Sequence, residues 1–167
     1  KVRERGAVAP DDLSFLIDRN ALIPEERRAI IRTGLQLGLN GELYASLHIL
    51  LPQTENLLRE LVKLCGDMPT YLKEDGTEDI KPLSQLFDSQ KLKEVYDEDL
   101  LFTWKTLLDE QGGPNLRNGI AHGVLSPKRG SSGAALCFLS LLIRFLSLYS
   151  LDAHAVYKKL HTTISPR

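Results

Sequence analysis

"ELYASLHILLPQTENLLRELVKLC", residues 42–65, decides the fold. Leu43, Leu47, Leu50, Thr54, Leu57, Leu61 and Leu64 recur at steps of four and three, which keeps their side chains on one face of an α-helix. A second stripe runs beside the first: Tyr44, His48, Leu51, Glu55, Leu58, Val62 and Cys65. The face to be buried is therefore wide. The spacing predicts one long core helix, kinked at Pro52, which lacks an N–H and crowds the preceding turn. Two residues interrupt the apolar pattern. His48 reads as a histidine satisfied at the edge of the core. Glu55 needs a partner if half-buried, and two readings are open: a pair with Arg59 one turn later, or a place facing the helix near residue 117, where it orients Arg117 or His122.

Outward from this helix the chain stays helical. A short helix or single turn is expected at 11–18. Pro24, Glu25 and Glu26 suit the start of a helix running to about Leu39 and stopped by Asn40-Gly41. Beyond residue 65, "TYLKEDGTEDIK" (70–81) places Asp-Gly between short extended runs, which predicts a small hairpin or loop insertion. Short helical pieces follow at 82–87 and 89–95. A firmer helix at 97–110 has Leu100, Leu101, Trp104, Leu107 and Leu108 on its inner side. "GGP" (112–114) ends it and opens the next, and "SPKRGSSG" (126–133) reads as a flexible polar loop. A last helix is expected to about residue 162. The expected organisation is an N-terminal helical extension, 1–39, and one compact helical domain, 40–167, with no internal repeat.

"AALCFLSLLIRFLSLYSL" (134–151) is almost wholly apolar, but a spanning helix needs about 20 such residues, and Arg144 stands inside it. It is expected to be a helix of the C-terminal half buried on most sides, with no membrane contact. Cys65 and Cys137 lie in apolar runs outside any metal-binding spacing and read as buried, reduced thiols. The chain has 167 residues, 43% hydrophobic and 26% charged, with a net charge of −1, which argues against a non-specific nucleic-acid coat and leaves room for a local basic site. Nothing in it resembles a signal peptide, so a cytoplasmic location is expected. Since the chain starts at Lys1 and its one methionine is Met68, it reads as a segment of a longer protein.

The stretch that carries chemistry is "NLRNGIAHG", residues 115–123. With Pro114 as first helical residue and about 100° per residue, Leu116, Ile120 and, where the helix reaches it, Val124 make an inward stripe. Asn118 and His122 fall on the opposite side, with Arg117 on the flank. Gly119 and Gly123 leave one edge bare. Gly119 costs helix propensity that a close neighbour or ligand has to offset, and Gly123 serves either that edge or the helix C-cap. Imidazole takes and gives protons near neutral pH. Guanidinium offers a planar fork to phosphate oxygens. Asn118 can orient a hydroxyl or the imidazole. No carboxylate cluster stands beside them to hold a metal, so no metal or cofactor is expected. The trio suits metal-free RNA cleavage in which the ribose 2′-OH is the nucleophile, His122 moves the proton and Arg117 stabilises charge on the phosphorus oxygens.

The segment "RNGIAHG" resembles the Arg-x4-6-His motif of the HEPN superfamily (higher eukaryotes and prokaryotes nucleotide-binding), small helical domains of which many are metal-independent ribonucleases. "LLDEQGGPNLRNGIAHGVL" (107–125) and "LLPQTENLLREL" (50–61) resemble more closely the RNxxxHG-signature family found in bacterial proteins and in ER-membrane-associated RNA degradation proteins. The resemblance covers residues 40–151. It implies a HEPN-like helical bundle, Arg117 and His122 as the catalytic pair with Asn118 beside them, and a homodimer in which two such helices share a cleft. In this reading Glu55, Gly119 and Gly123 support the site, and Lys128 and Arg129, just after the motif, contact the RNA. The chain departs from HEPN toxins in carrying Val124 where those often have a tyrosine, so tyrosine modification is not implied. Two functions follow: an endoribonuclease acting on RNA, or a non-catalytic helical module for dimerisation or nucleotide binding. Other basic groups, Arg27, Arg28 and Arg32, and Lys158 and Lys159, read mainly as solvated surface, as do His154 and His161.

Overall fold

Nine α-helices, two short 3-10 helices and one small hairpin order residues 6–152, the part of the chain that the computed structural model describes. The expected last helix, and with it His154, Lys158, Lys159 and His161, lies outside the described residues. The helices are α1 (Ser14–Ile17), α2 (Arg28–Leu39), α3 (Leu43–Leu64), α4 (Leu83–Phe87), α5 (Gln90–Val95), α6 (Glu98–Leu108), α7 (Leu116–Ala121), α8 (Pro127–Gly130) and α9 (Gly133–Tyr149). Strands β1 (Thr70–Leu72) and β2 (Glu78–Ile80) pair antiparallel, Tyr71 opposite Asp79. With 65% helix the class is all-α. The periodic stretch at 42–65 is α3, which runs without interruption through Pro52. The described residues fall into two compact units, one made of the chain up to Leu50 and from Ser131 onward, the other of Leu51–Gly130.

In the first unit, Leu16, Ile17, Ile31, Leu35, Leu47, Leu50, Phe138, Leu142 and Leu146 form the core. Helices α2 and α3 approach closely because Gly34 and Gly38 lack side chains. A Cβ on Gly34 would stand 2.6 Å from Leu50 Cγ, and one on Gly38 would stand 2.7 Å from Ser46 Oγ. Ser46 Oγ uses the closeness to donate to the Gly34 carbonyl at 2.7 Å. Gly34→Ala is therefore expected to destabilise the fold by about 1–3 kcal/mol through overpacking. Thermal unfolding followed by circular dichroism measures it, and an unchanged midpoint would mean that the helices separate freely. Buried Asn20 joins α1 to α9: its Nδ2 donates to the carbonyls of Leu16 (2.9 Å) and Leu146 (2.8 Å), and its Oδ1 accepts from Leu22 N.

Helix α9 corrects one expectation. It buries Ala135, Phe138, Leu139, Leu142, Phe145 and Leu146 on one arc, while Leu136, Cys137, Ser140 and Arg144 are exposed. Apolar residues all round the helix exceed what one packing face covers, so it is half-buried. The stretch Pro127–Tyr149, which includes α8 and α9, is by length and composition long and apolar enough to cross a membrane. Cys137 is accordingly exposed and Cys65 half-buried, not sealed as expected. Partial burial and the neighbouring Asp67 carboxylate raise the Cys65 thiol above its ordinary pKa.

The second unit packs Leu51, Leu57, Leu58, Leu61 and Val62 of α3 with Leu83, Leu86, Phe87, Leu92, Trp104, Leu108 and Leu116. The expected hairpin forms across Lys73–Thr77, where Lys73 N donates to Thr77 O at 2.8 Å and Asp75 accepts from the Thr77 amide and hydroxyl. Asp67 anchors the start of α5. Ser89 Oγ donates to it at 2.5 Å and Met68 N at 2.7 Å, and these two bonds hold its carboxyl below the usual range. Residues 127–130, expected as loop, make the single turn α8.

Candidate functional site

Helix α7 is only six residues long, and both its ends are set by backbone chemistry. At the N-terminus Asn115 adopts a left-handed conformation (φ 49°, ψ 46°), and its carbonyl accepts from Gly119 N at 3.0 Å. Leu116 is thus the first helical residue, two later than expected, because the left-handed Asn115 separates Pro114 from the helix. At the C-terminus Gly123 has φ 67°. Its N–H donates to Ile120 O at 3.0 Å, and Val124 N donates to Gly119 O at 2.9 Å, the paired bonds of a Schellman motif. Gly123 is therefore the glycine that closes the helix.

This reversal rearranges the expected inward stripe. Leu116 is buried and Ile120 half-buried, but Val124 is 69% exposed and Leu125 takes the interior position. Leu125 also accounts for Gly119. A Cβ there would meet Leu125 Cβ at 3.2 Å and Cδ1 at 3.3 Å. The bare edge of the helix is filled by the protein's own chain, three residues after the C-cap His122.

Arg117 does not stand free on the outer side. Its Nε donates to Glu55 Oε1, and its Nη1 donates to Asn118 Oδ1 at 3.0 Å. Glu55 Oε2 accepts from Arg59 Nη2 at 3.3 Å, so one carboxylate bridges two guanidinium groups and both open partnerships of Glu55 are realised. Asn118 Nδ2 in turn points to Asp109 Oδ1 at 3.5 Å, at the end of α6. The Nη2 group of Arg117 carries no hydrogen bond among the described residues. Arg117 lines an open cleft of about 220 Å³ with Leu51, Pro52, Glu55, Ile120 and Ala121.

His122 is the C-cap residue of α7 and is exposed. The site therefore brings Glu55, Arg117 and Asn118 together, and it holds His122 at the open end of the same helix. Lys128 is exposed, whereas Arg129 is partly engaged: its Nη2 donates to the Pro114 carbonyl at 3.2 Å and ties α8 to the approach of α7. His48, read as a core-edge residue, is exposed, with Nδ1 2.8 Å from the Tyr44 carbonyl and its ring edge-on to Tyr44.

No family model, curated protein or solved structure matches this chain. The chemistry of the site stands on its own residues. Sequence reasoning missed Asp109 and the double use of Glu55. An acid at the end of α6, just before "GGP" returns the chain to the motif, was the available signal for Asp109. The prolyl wall of the cleft had one too, since Pro52 occupies an exposed position of α3.

Proposed function

We propose that the chain is a metal-independent endoribonuclease domain that cleaves RNA with Arg117 and His122 and works as a homodimer. One observation carries the reading: Arg117 is held by Glu55 and Asn118 at the wall of a cleft with one edge of its guanidinium unengaged, and an exposed imidazole ends the same helix. Fixing two sides of the guanidinium orients the remaining N–H groups before a ligand arrives, which is how a positioned donor lowers the barrier to charge development. In the reaction the 2′-oxygen attacks phosphorus, the bond from phosphorus to the 5′-oxygen breaks, and the products are a 2′,3′-cyclic phosphate and a free 5′-hydroxyl. His122 takes the 2′-OH proton, the partner's His122 protonates the departing 5′-oxygen, and Arg117 neutralises the non-bridging oxygens.

The resemblance of "RNGIAHG" to the HEPN motif supports both the reaction and the dimer. Gly119 no longer does, since Leu125 fills its edge. Light scattering is expected to return twice the mass of the chain. A monomer at assay concentration would remove the second imidazole and with it the two-histidine scheme. The reaction itself is tested by incubating purified protein with RNA in EDTA, with products resolved by gel.

A second reading is favoured by the internal satisfaction of the chain Arg59–Glu55–Arg117–Asn118–Asp109. Such a network can clasp α3, α6 and α7 in a non-catalytic helical module. It predicts that Arg117→Ala alters stability or assembly and that no variant, nor the parent protein, cuts RNA.

A further inference from the structure

Helix α6 carries a large exposed aromatic that the catalytic scheme does not use. Phe102 is 67% exposed, although Leu101 beside it and Trp104 two residues on are buried. It borders an open groove of about 240 Å³ lined with Phe87, Leu101, Lys93, Lys105, Asp88 and Glu98. The floor is apolar, with Phe87 and Leu101 buried. The rim is mixed in charge: Lys93 Nζ lies 3.9 Å from Asp88, and Lys105 Nζ lies 3.5 Å from Glu110.

This combination selects among occupants. A purely anionic ligand would be repelled by Asp88 and Glu98, and a purely apolar one would leave four charged side chains to be desolvated. A nucleotide presents what the groove asks for: a flat ring for the face of Phe102, ring amino groups for the carboxylates, and phosphate oxygens for the lysines. Position along the helix adds a second argument. Asp109 follows Phe102 by seven residues, which is about 10 Å along the axis and about 20° round it. The same stripe of α6 thus leads from Phe102, past Lys105, to the carboxylate that meets Asn118 beside Arg117.

We propose that Phe102, with Lys93 and Lys105, is a stacking subsite for one base of single-stranded RNA, set along α6 from the Arg117 cleft; this rests on the ribonuclease reading for its substrate. The subsite would hold a nucleotide flanking the scissile phosphate and favour unpaired RNA, whose bases are free to stack.

The test measures binding of a short, 5′-labelled, mixed-sequence single-stranded RNA by fluorescence anisotropy, and, separately, cleavage of the same RNA in EDTA. Phe102 is exposed, so its replacement leaves the core intact. Phe102→Ala and Phe102→Leu are expected to weaken binding about five- to a hundred-fold, the range commanded by stacking on an aromatic, while Phe102→Tyr binds as the parent does. Equal binding by Phe102→Ala and the parent would overturn the subsite, and cleavage persisting in both would leave the nuclease reading intact. Weakened binding with no cleavage by the parent would keep the subsite and sink the nuclease. If no protein binds RNA but Phe102→Ala changes the mass seen by light scattering, the groove is a protein interface and the proposal falls.

Discussion

His122→Ala is expected to lower RNA cleavage in EDTA by about 10²–10⁴-fold, the contribution of a positioned general acid or base, while leaving the folded state unchanged. The second half of that expectation follows from position. His122 is exposed and caps α7 through its backbone, its N–H donating to Asn118 O at 3.0 Å. Alanine keeps that bond, and the turn at Gly123 that follows does not involve the imidazole. Loss of activity with an unaltered unfolding curve therefore reports chemistry and not collapse. The measurement is initial cleavage rate across several RNAs, parent and variant side by side. A parent preparation that cuts no faster than His122→Ala would end the nuclease proposal for this chain. A product bearing a 3′-phosphate formed directly, with no cyclic intermediate at any time, would count against the 2′-OH as nucleophile.

Glu55→Ala has the next largest expected effect, and it acts on stability and activity together. The carboxylate is 14% exposed and holds Arg59 and Arg117, whose side chains are 21% and 35% exposed. Removing it leaves two guanidinium groups near each other with their shared counter-charge gone. Breaking a fully buried pair costs more, but solvent reaches Arg117, so the expected loss is about 2 kcal/mol. Arg117 also loses the bond at Nε that fixes its orientation, and a misplacement of about 1 Å is enough to cost about a hundred-fold in rate. Denaturant unfolding gives the first quantity and cleavage kinetics the second. If Glu55→Ala, corrected for the folded fraction, cuts RNA as fast as the parent, Glu55 is only a structural partner. Glu55→Gln separates charge from shape. It retains an acceptor for one arginine, so it should recover much of the stability and less of the rate.

The motif and its surroundings were unequally legible. Arg117, Asn118 and His122 could be named as candidates because their residue types can serve proton transfer and phosphate binding and because "RNGIAHG" resembles a known motif. The half-buried place of Glu55 followed from an acid interrupting two apolar stripes on α3. For Gly119 the sequence left open a close neighbour or a ligand, and only the point where the helix stops chooses between them. A left-handed glycine at 123 ended it, and the chain folded back so that Leu125 covered the glycine. The burial of α9 was overestimated for a different reason. Composition reports how apolar a helix is, but not how many of its faces find a neighbour.

By itself the sequence determined the helical class, the extent of α3 and most of the two stripes it buries, the hairpin after it, and the residue types of the polar trio. All of these depend on interactions between residues a few positions apart, whose geometry the backbone period sets. Tertiary structure alone decided that Glu55 reaches Arg117 across 62 residues while still holding Arg59, that Asp109 backs Asn118, and that His122 rather than Arg117 is the open member of the pair. Those outcomes depend on how α3, α6 and α7 pack, and packing selects one partner among several of equal local merit.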